Sequence, residues 1–354
     1  MSRIVLKVGS NLLVKKSGEL DRRYIAELAR EIANLKSLEN EVVLVSSGAK
    51  AAGFGYLSGR SAEHDLYLKQ ALCAAGQVQL MKLYETVFDL YGEKVAQILV
   101  NRDDFGHRKR FLNLRNTLIG LLEMGVIPIV NENDTTSTEE IMFGDNDILA
   151  AMFAMGWKAD YLILMSTVDG IYNEEGKVMR VFDSAIKIKS MSGSSWGTGG
   201  IGTKIRAARG ASASGIKCCI CNGRELSNIG KFIHGIETGT VFEPIDSSPG
   251  ARKIWIGFLS TPGGSLIINR GAITALKRGK SLLAVGVERV EGEFSQGEVV
   301  RILSFEGEEI ARGISNFSSF EVDRIKGTRS DKLSSILGHD CAKVVVHIDN
   351  IYQN

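Results

Sequence analysis

The sequence predicts an α/β protein in which a largely parallel β-sheet is sandwiched by helices, followed by a small β-rich, barrel-like domain. Short apolar runs alternate with amphipathic segments over about the first 240 residues, which is the pattern of strand–helix–strand units. Farther along, short β-type runs are separated by glycines. The segment 243–250 holds two of the chain's four prolines and predicts a linker. We therefore place domains at 1–244 and 252–354, joined by residues 245–251.

Composition bounds the class of protein. A chain of 354 residues with 44% hydrophobic residues is long enough to bury two cores, and its formal net charge of +2 favours neither nucleic acid nor a membrane surface. No apolar run approaches the roughly 18 residues of a membrane span, and residues 1–10 lack the apolar region of a secretion signal. Five cysteines indicate reduced thiols, and the run Cys218–Cys221 predicts a buried strand. We expect a cytoplasmic protein.

The elements of the first domain follow from apolar spacing. Residues 3–8 predict a strand that ends in the turn Gly9–Asn11, and Asp21 is a suitable N-cap for a helix with a buried face at Ile25, Leu28, Ala29, Ile32 and Leu35. Further strands are predicted at 41–49, 94–100, 125–130, 160–166 and 217–221, and helices near 65–91, 108–124 and 147–156. The second domain has β-type runs that include 281–287 and 343–348.

Several strands of the first domain end in glycine or polar turns, where open α/β sheets bind their ligands. Lys7 stands before Gly9 and can present an ammonium group to a phosphate, although a lysine at a strand end is more often a solvated flank. Ser46, Ser47 and Gly48 lead from a strand into a helix. Their hydroxyl and amide groups suit an anion, although simple N-capping by serine is the plainer interpretation.

Residues 197–204, GTGGIGTK, stand at the head of a predicted helix. They match neither the GxGxxG dinucleotide motif nor the GK[ST] ending of a Walker motif. Even so, glycines let backbone amides approach an anion closely, threonine hydroxyls add donors, and Lys204 adds charge. A flexible linker is the alternative, but linkers seldom end in Thr-Lys at the head of a helix. The motif therefore predicts phosphate binding.

Residues 131–147, NENDTTSTEEIMFGDND, form a predicted polar loop after a buried strand, although an acidic turn of this kind is often only solvated. Together with Lys7 and Lys204, the loop predicts a phosphoryl-transfer site. A carboxylate acceptor is already ionised near pH 7 and needs no general base. Lysines would neutralise its approach to a polyanionic phosphate, with Asp147 orienting them by ion pairing. No histidine lies in a glycine-turn motif, and no metal-binding set of side chains is recognised.

Five segments resemble the amino acid kinase family, in the family's own order: VLKVGS, VVLVSSGA, IPIVNENDT, FGDNDILAA and WGTGGIGTKIRAA. The resemblance is closest to the members that phosphorylate glutamate, and with the C-terminal domain it covers almost the whole chain. It implies the amino acid kinase fold and the ATP-dependent phosphorylation of the γ-carboxylate of L-glutamate to L-glutamyl 5-phosphate. That reaction is the first step of proline biosynthesis.

The resemblance also implies roles for single residues. Lys7 and Lys204 would act as catalytic groups that flank the transferring phosphoryl group, and Asp147 would organise them. The substrate glutamate would be held by Ser47, Asp134 and Asn146. Mg²⁺ would escort the phosphates of ATP, with no metal ligand assigned to the protein. The nucleotide site would comprise Lys7, Ser166, Thr167, Thr198, Gly199, Gly200, Ile201, Gly202, Thr203 and Lys204.

The chain departs from the family pattern after the strand at 160–166. Such kinases usually carry Ser/Thr-Asp where this chain has Ser166-Thr167, followed by Val168-Asp169-Gly170. The missing carboxylate removes one nucleotide contact, which the backbone or the Thr167 hydroxyl would have to replace. The Asp-Pro that usually follows the tyrosine is also absent, since Tyr172 is followed by NEEGK.

The C-terminal domain resembles a PUA domain, through GAITALKRGKSLLAVGV, EGEFSQGEVVRI and ARGISNFSS. That module binds RNA elsewhere. Residues 252–354 hold 14 Lys and Arg against 12 Asp and Glu, a weak footprint for RNA, so RNA binding is the less favoured expectation. The family resemblance further implies feedback inhibition by proline and a homo-oligomer, either a dimer or a tetramer.

Two alternatives to a glutamate kinase stay open from the sequence. A kinase of the same family could act on another acid, and an N-acylated substrate would have no cationic amine for Asp134. An RNA-binding protein with a lapsed kinase domain is the alternative from another class, and Thr167 is the feature that favours it. The intact lysines and acidic loop argue against a lapsed site.

Overall fold

The computed structural model describes residues 1–15, 17–57, 65–101, 104–105, 108–136, 146–183, 200–245, 253, 256–257, 260 and 262–353. The chain divides into two compact units, residues 1–104 with 109–248 and residues 105–108 with 249–354. Apart from Ile245, the predicted linker 245–251 lies outside the described residues. Our domain boundaries therefore stay a prediction.

The first unit is built on a seven-stranded sheet with the order β3-β4-β2-β1-β5-β6-β7. All neighbouring strands are parallel except β7, which is antiparallel to β6. The central strands are buried along nearly their whole length, as expected for apolar runs covered by helices on both faces. The strands are β1 (Arg3–Val8), β2 (Glu41–Ser46), β3 (Val95–Val100), β4 (Ile127–Glu132), β5 (Tyr161–Ser166), β6 (Lys217–Asn222) and β7 (Thr240–Phe242).

Helices flank this sheet, and the predicted α/β class is confirmed. Asp21 caps the second helix, because its side chain accepts a hydrogen bond from the backbone N–H of Tyr24 at 3.2 Å. The cysteines of β6 are free and buried, as predicted for small apolar side chains. The helices are α1 (Ser10–Leu13), α2 (Arg22–Ser37), α3 (Ala49–Tyr56), α4 (Leu66–Asp89), α5 (Arg108–Glu123), α6 (Asn146–Trp157), α7 (Ile201–Ser212) and α8 (Ser227–Ile233).

Helices α3 and α4 touch through their backbones at two glycines. A Cβ added to Gly53 would lie 1.9 Å from the carbonyl oxygen of Leu72, and a Cβ added to Gly76 would lie 1.8 Å from that of Ala49. No side chain fits at either position. Because Ala49 begins α3 directly after Gly48, this contact holds the carboxyl end of β2 against the middle of α4.

The predicted polar loop at 131–147 is wrong at both ends. β4 continues through Glu132, because Asn131 and Glu132 pair with Leu99 and Val100 of β3. At the other end, α6 already begins at Asn146. The polar side chains of these residues predicted a loop. They belong instead to the ends of a strand and a helix that border a candidate site, where polar side chains are expected. Residues 137–145, which include Asp145, lie outside the described residues.

The second unit contains a five-stranded sheet with the order β12-β11-β10-β8-β9, in which only the β10–β8 pair is parallel. This confirms a separate β-rich domain. Its strands are β8 (Gly264–Ile268), β9 (Val287–Gly292), β10 (Val299–Leu303), β11 (Glu309–Ile314) and β12 (Ile351–Gln353). Its helices are α9 (Arg270–Lys277), α10 (Ser319–Ile325) and α11 (Leu333–Leu337), with 3₁₀ turns at Ala284–Gly286, Ser330–Lys332 and Ile348–Asn350.

Two predicted β-type runs of this unit are not regular strands. Residues 281–287 contain the 3₁₀ turn Ala284–Gly286, and residues 343–348 pair only through the bridge between Val346 and Leu282. Val345 and Val346 are nonetheless fully buried in the core of this unit. Residues in a core are apolar whether or not they belong to a strand. The apolar character of these two runs therefore did not distinguish a strand from an irregular buried segment. No helix in the described part of the chain is long and apolar enough to cross a membrane.

We predict that Gly76→Ala lowers the free energy of unfolding by about 1–3 kcal/mol or more, because its methyl group would overlap the backbone of α3. Gly120→Ala is the matched control in α5. A Cβ at that glycine meets nothing within 4 Å, so alanine should stabilise the helix by about 0.5–1 kcal/mol. Urea denaturation measures both, and a Gly76→Ala protein as stable as the wild type would contradict the α3–α4 contact.

Candidate active site

The carboxyl ends of three neighbouring strands bring the predicted residues to one edge of the sheet. Lys7 is the penultimate residue of β1, and Ser46 ends β2 opposite Val8. β4 runs beside β2 and carries Asn131 near its own end. Since all three strands are parallel, their carboxyl ends share an edge, which is the usual place for a ligand in an open α/β sheet.

Two lysines share one buried carboxylate at this edge. Lys7 Nζ lies 2.7 Å from Asp147 Oδ1, and Lys204 Nζ donates to Asp147 Oδ2 at 2.9 Å. Asp147 is 1% exposed, Lys7 6% and Lys204 8%. Buried charges persist only when they are paired, so the three side chains form one electrostatic unit with a net charge of +1.

Asp147 is the anion at the centre of this unit. Burial by itself would raise the pKa of its carboxyl, but the charges and hydrogen bonds of Lys7 and Lys204 outweigh burial and hold that pKa at about 2. Asp147 also lies in the first turn of α6, where the helix dipole favours a negative charge. The carboxylate is therefore ionised at neutral pH, and the remaining positive charge suits an anionic ligand.

A glycine and a helix N-terminus border the lysines. A Cβ added to Gly9 would lie 3.3 Å from Lys7 Nζ, so the glycine leaves room beside the ammonium group. Gly200 precedes α7 and Lys204 lies in its first turn. The Thr203 hydroxyl lies 3.2 Å from Asp147 Oδ2 and 2.8 Å from the carbonyl oxygen of Gly200. This arrangement offers amide, hydroxyl and ammonium donors to an anion.

The predicted nucleotide residues are only partly described. Gly200, Ile201, Gly202, Thr203 and Lys204 span the start of α7, whereas Thr198 and Gly199 lie outside the described residues. At the neighbouring strand, Ser166 ends β5 and the exposed Thr167 follows it. The carboxylate two positions later, on Asp169, accepts hydrogen bonds from Asn222 Nδ2 at 2.9 Å and from the Tyr172 hydroxyl at 3.2 Å.

Asn146 joins α6 to the ends of β2 and β4. Its Nδ2 donates to the carbonyl oxygen of Ser46 at 3.0 Å, to Ser47 Oγ at 2.8 Å and to Asn131 Oδ1 at 3.1 Å. The carbonyl oxygen can only accept, which identifies the atom facing it as the amide nitrogen. Asn146 Oδ1 is then a buried acceptor without a partner among the described residues. It is available to a ligand that donates a hydrogen bond.

Asp134 lies just beyond β4 and is half-buried. Burial raises the pKa of its carboxyl to about 6, partly offset by a hydrogen bond from the Cys73 thiol. Within the described part of the chain, no cation contributes to this pKa. A cationic ligand would stabilise the ionised form of this carboxyl group, because its positive charge would offset the cost of burying the negative charge.

Sequence reasoning missed Gln77 and gave Asn131 no role. Asn131 Nδ2 donates to Gln77 Oε1 at 3.0 Å. The side-chain amides of Asn146, Asn131 and Gln77 are thus connected, and together they form an amide cluster that reaches α4. Both side chains are buried, Asn131 at 1% and Gln77 at 8% exposed. The available signal was spacing, since Gln77 occupies the buried face of a helix between Cys73 and Leu80. A polar residue at an apolar helical position indicates a site or a buried network.

In the described part of the chain, no group of three or more His, Cys, Asp or Glu side chains is placed to hold a metal ion. The donors beside Asp147 include two ammonium groups and backbone amides, which bind anions.

A parallel α/β sheet whose carboxyl edge carries two lysines on one carboxylate, next to a helix N-terminus, has the features of a phosphotransferase. The model of the amino acid kinase family matches residues 2–222, and that of the PUA domain matches residues 264–337. The chain belongs to the amino acid kinase family.

Relatives match over the whole length of the chain. A protein of Kosmotoga olearia named glutamate 5-kinase is 58% identical, with 100% of this chain and 99% of the relative covered. One of Thermotoga maritima with the same name is 56% identical, with 99% of each chain covered. Among solved structures, isopentenyl phosphate kinase covers 68% of this chain and 99% of its own, with a TM-score of 0.47 and 20% identity.

We predict that Asp147→Asn destabilises the ligand-free protein by about 3–5 kcal/mol, since it leaves two buried ammonium groups without an anion. Lys204→Met should have a smaller effect, because Lys7 and Asp147 remain as a neutral pair. The pKa of Asp147 is lowered, so its contribution is present at neutral pH and lost as pH falls from about 4 towards about 2. Chemical denaturation at several pH values measures this, and equal losses in both variants would exclude the shared carboxylate.

Proposed function

We propose that the protein phosphorylates the γ-carboxylate of L-glutamate with ATP, forming L-glutamyl 5-phosphate in the first step of proline biosynthesis. The observation that carries the proposal is the buried unit of Lys7, Asp147 and Lys204, which keeps one positive charge beside a polar cluster fit for a small acid. The full-length relatives named glutamate 5-kinase support the choice of substrate.

The reaction makes one bond and breaks one. An oxygen of the γ-carboxylate attacks the γ-phosphorus of ATP, and the bond from that phosphorus to the β–γ bridging oxygen breaks as ADP leaves. The carboxylate is already ionised near pH 7, so no general base takes a proton from it. The obstacle is repulsion between two anions, and the protein's task is to supply positive charge where they meet.

Lys7 and Lys204 perform this task in the proposed mechanism. They reach the site from β1 and α7, and both are held by Asp147, so their ammonium groups are fixed before any ligand arrives. Ammonium groups that are already oriented stabilise charge on the transferring phosphoryl group without reorganisation. Asp147 is a positioning residue, since it acts through the lysines.

The amino acid would bind on the other side, at the ends of β2 and β4. Asp134 would pair with the α-ammonium group, which supplies the cation that its buried carboxyl lacks among the described residues. Asn146 Oδ1 would accept a hydrogen bond from the same group, and Ser47 would contribute its hydroxyl. A substrate with an acylated nitrogen has no cation to offer, which favours a free amino acid.

The nucleotide would lie along the start of α7 and the end of β5, at Ser166, Thr167 and the segment 198–204. Amides of the first turn of α7 and the space beside Gly9 suit its phosphates. Mg²⁺ would accompany those phosphates and neutralise part of their charge. The hydroxyl of Thr167 or its backbone would replace the carboxylate that the family usually carries there.

The family resemblance supports further proposals about the chain. We propose a cytoplasmic enzyme that forms a homo-oligomer, either a dimer or a tetramer, and is inhibited by proline. A catalytic domain at 1–244 and a PUA-like domain at 252–354 would be joined by residues 245–251. RNA binding by the second domain is the less favoured proposal, because the positive charges of that region barely exceed its negative charges.

We predict that Lys204→Met lowers kcat by about 10²–10³ and leaves the protein folded, because the transition state loses one ammonium group while Lys7 and Asp147 stay paired. ADP release and trapping of the acyl phosphate as a hydroxamate measure the activity. Lys177→Met is the matched control, since that ammonium group is exposed and pairs with Glu175. A Lys204→Met enzyme with the wild-type kcat would refute the mechanism.

We predict that the KM for L-glutamate falls as pH rises from about 5 to about 7 and then levels off. The pKa of Asp134 is raised to about 6, so the carboxyl is neutral at the acidic end of this range and can pair with an ammonium group only after it ionises. Asp134→Asn should raise this KM about 10–100-fold and remove its pH dependence.

Glutarate, which lacks the amine, provides the control substrate for this experiment, because its KM should change little in Asp134→Asn. Thermal denaturation at pH 7 should find the variant at least as stable as the wild type, since ionisation of the buried carboxyl destabilises the fold as pH rises. A parallel rise of KM for both substrates would show that Asp134 does not bind the amine.

A further inference from the structure

Gln77 is a buried polar side chain without a role in the mechanism above. It lies in the middle of α4, is 8% exposed, and its Nε2 has no hydrogen-bond partner among the described residues. A buried donor left unpaired keeps the full cost of its desolvation. Such a cost in a ligand-free protein is expected where a ligand supplies the missing partner.

Backbone groups determine which atom of Gln77 is unpaired. The N–H of Glu132 can only donate, and it donates to the side chain of Asn131 at 2.9 Å, which identifies that atom as Oδ1. The other atom of the Asn131 amide is then Nδ2, a donor that needs an acceptor 3.0 Å away on Gln77. Gln77 must therefore present Oε1 to Asn131, and the unpaired atom is the donor Nε2.

The same reasoning applies to Asn146, whose unpaired atom is the acceptor Oδ1. Asn146 and Gln77 are both bonded to Asn131, on opposite atoms of its amide. Among the described residues, the cluster therefore has one buried acceptor and one buried donor without a partner, and only the side chain of Asn131 lies between them. An amino acid offers the complementary pair, an ammonium donor and a carboxylate acceptor on one carbon atom.

The position of Gln77 on α4 places it beside the proposed amine site. Cys73 precedes it by four residues, so the two side chains lie on the same face of the helix about 5–6 Å apart. The Cys73 thiol and the Asp134 carboxyl each act on the pKa of the other, so the two side chains are near one another. The backbone contact at Gly76, directly before Gln77, holds this part of α4 against the start of α3. Gln77 and Asp134 are consequently both neighbours of Cys73, on the same face of α4.

We propose that Gln77 is a specificity-determining residue whose Nε2 donates a hydrogen bond to the α-carboxylate of the substrate. The inference rests on the proposed function and deepens it, because it assigns the group that distinguishes an α-amino acid from a simple ω-amino acid. The carboxylate that accepts the phosphoryl group lies at the other end of the substrate and faces the lysines. Gln77 thus binds the end that does not react.

The plain alternative is a structural role in which an ordered water satisfies Nε2 and Gln77 only holds Asn131 in place. Gln77→Met keeps the length of the side chain but removes both the donor Nε2 and the acceptor that Asn131 uses, so a change of substrate is needed to separate the two roles. 4-Aminobutyrate is the matching substrate change, since it is L-glutamate without the α-carboxylate. The variant and the change of substrate together form a double-mutant cycle. A direct contact between Gln77 and the α-carboxylate makes their effects on kcat/KM non-additive, whereas independent effects add.

A hydrogen bond to a charged group is equivalent to about 10–100-fold in affinity, so Gln77→Met should lower kcat/KM for L-glutamate by about that factor, mainly through KM. For 4-aminobutyrate, kcat/KM at sub-saturating concentrations should stay within about twofold of the wild type. Equal losses for both substrates would assign Gln77 a structural role only, and an unchanged kcat/KM for L-glutamate would exclude the contact.

A second variant, Gln77→Glu, tests the sign of the interaction with L-glutamate alone. Its carboxylate would still accept from Asn131 but would repel the α-carboxylate, so kcat/KM should fall below that of Gln77→Met. An equal or higher value would overturn the proposal. Gln79→Met is the control on the same helix, at a half-buried position, and should behave as the wild type.

Failure of this inference is distinguishable from failure of the proposed function. If the wild-type protein releases no ADP on addition of L-glutamate, the proposed reaction is wrong and the assignment of Gln77 to its substrate falls with it. If the wild type is active and the variants retain full preference for L-glutamate over 4-aminobutyrate, only the role of Gln77 is wrong. Thermal denaturation of each variant shows whether a lost activity reflects unfolding.

Discussion

One carboxylate that holds two lysines is the interaction on which the site depends. Lys7 comes from the first strand, Asp147 from the helix that follows β4, and Lys204 from the helix before β6. Each of these charges would be strongly unfavourable if buried alone, because the desolvation of a single ion is a large fraction of the stability of a domain. Paired, they are oriented in advance and keep one positive charge. The candidate site therefore forms only when the sheet and its flanking helices are folded.

The substrate half of the site depends on a different constraint, the absence of side chains at Gly53 and Gly76. Backbone contact between α3 and α4 brings the end of β2 and the middle of α4 together, so that Ser47 and Gln77 reach the same amide cluster. Within the described part of the chain, one donor and one acceptor of this cluster have no partner. The site thus combines the positive charge of the two lysines with an unpaired donor and an unpaired acceptor in the amide cluster. This combination matches an amino acid whose distal carboxylate receives the phosphoryl group.

The two carboxyl groups of the site have opposite environments. Asp147 has two cations and a pKa of about 2, whereas burial raises that of Asp134 to about 6. The first carboxyl is ionised at neutral pH, and the second is the one for which we propose a cationic partner on the substrate. Their different neighbours thus suit Asp147 to position the lysines and Asp134 to the proposed recognition of a cationic group.

The sequence by itself determined the parallel sheet and the helical face of α2, because apolar spacing is a local property. It also predicted that Asp147 pairs with Lys7 and Lys204, and the structure shows both ion pairs. The catalytic roles of these residues stay a prediction. The sequence misplaced the boundaries of the predicted polar loop at 131–147, because asparagine is a residue type typical of turns. In the structure, Asn131 is paired within β4 and Asn146 begins α6. Only the tertiary structure revealed Gln77 and the raised pKa of Asp134. Both depend on burial and on partners more than 50 residues away, which no local pattern contains.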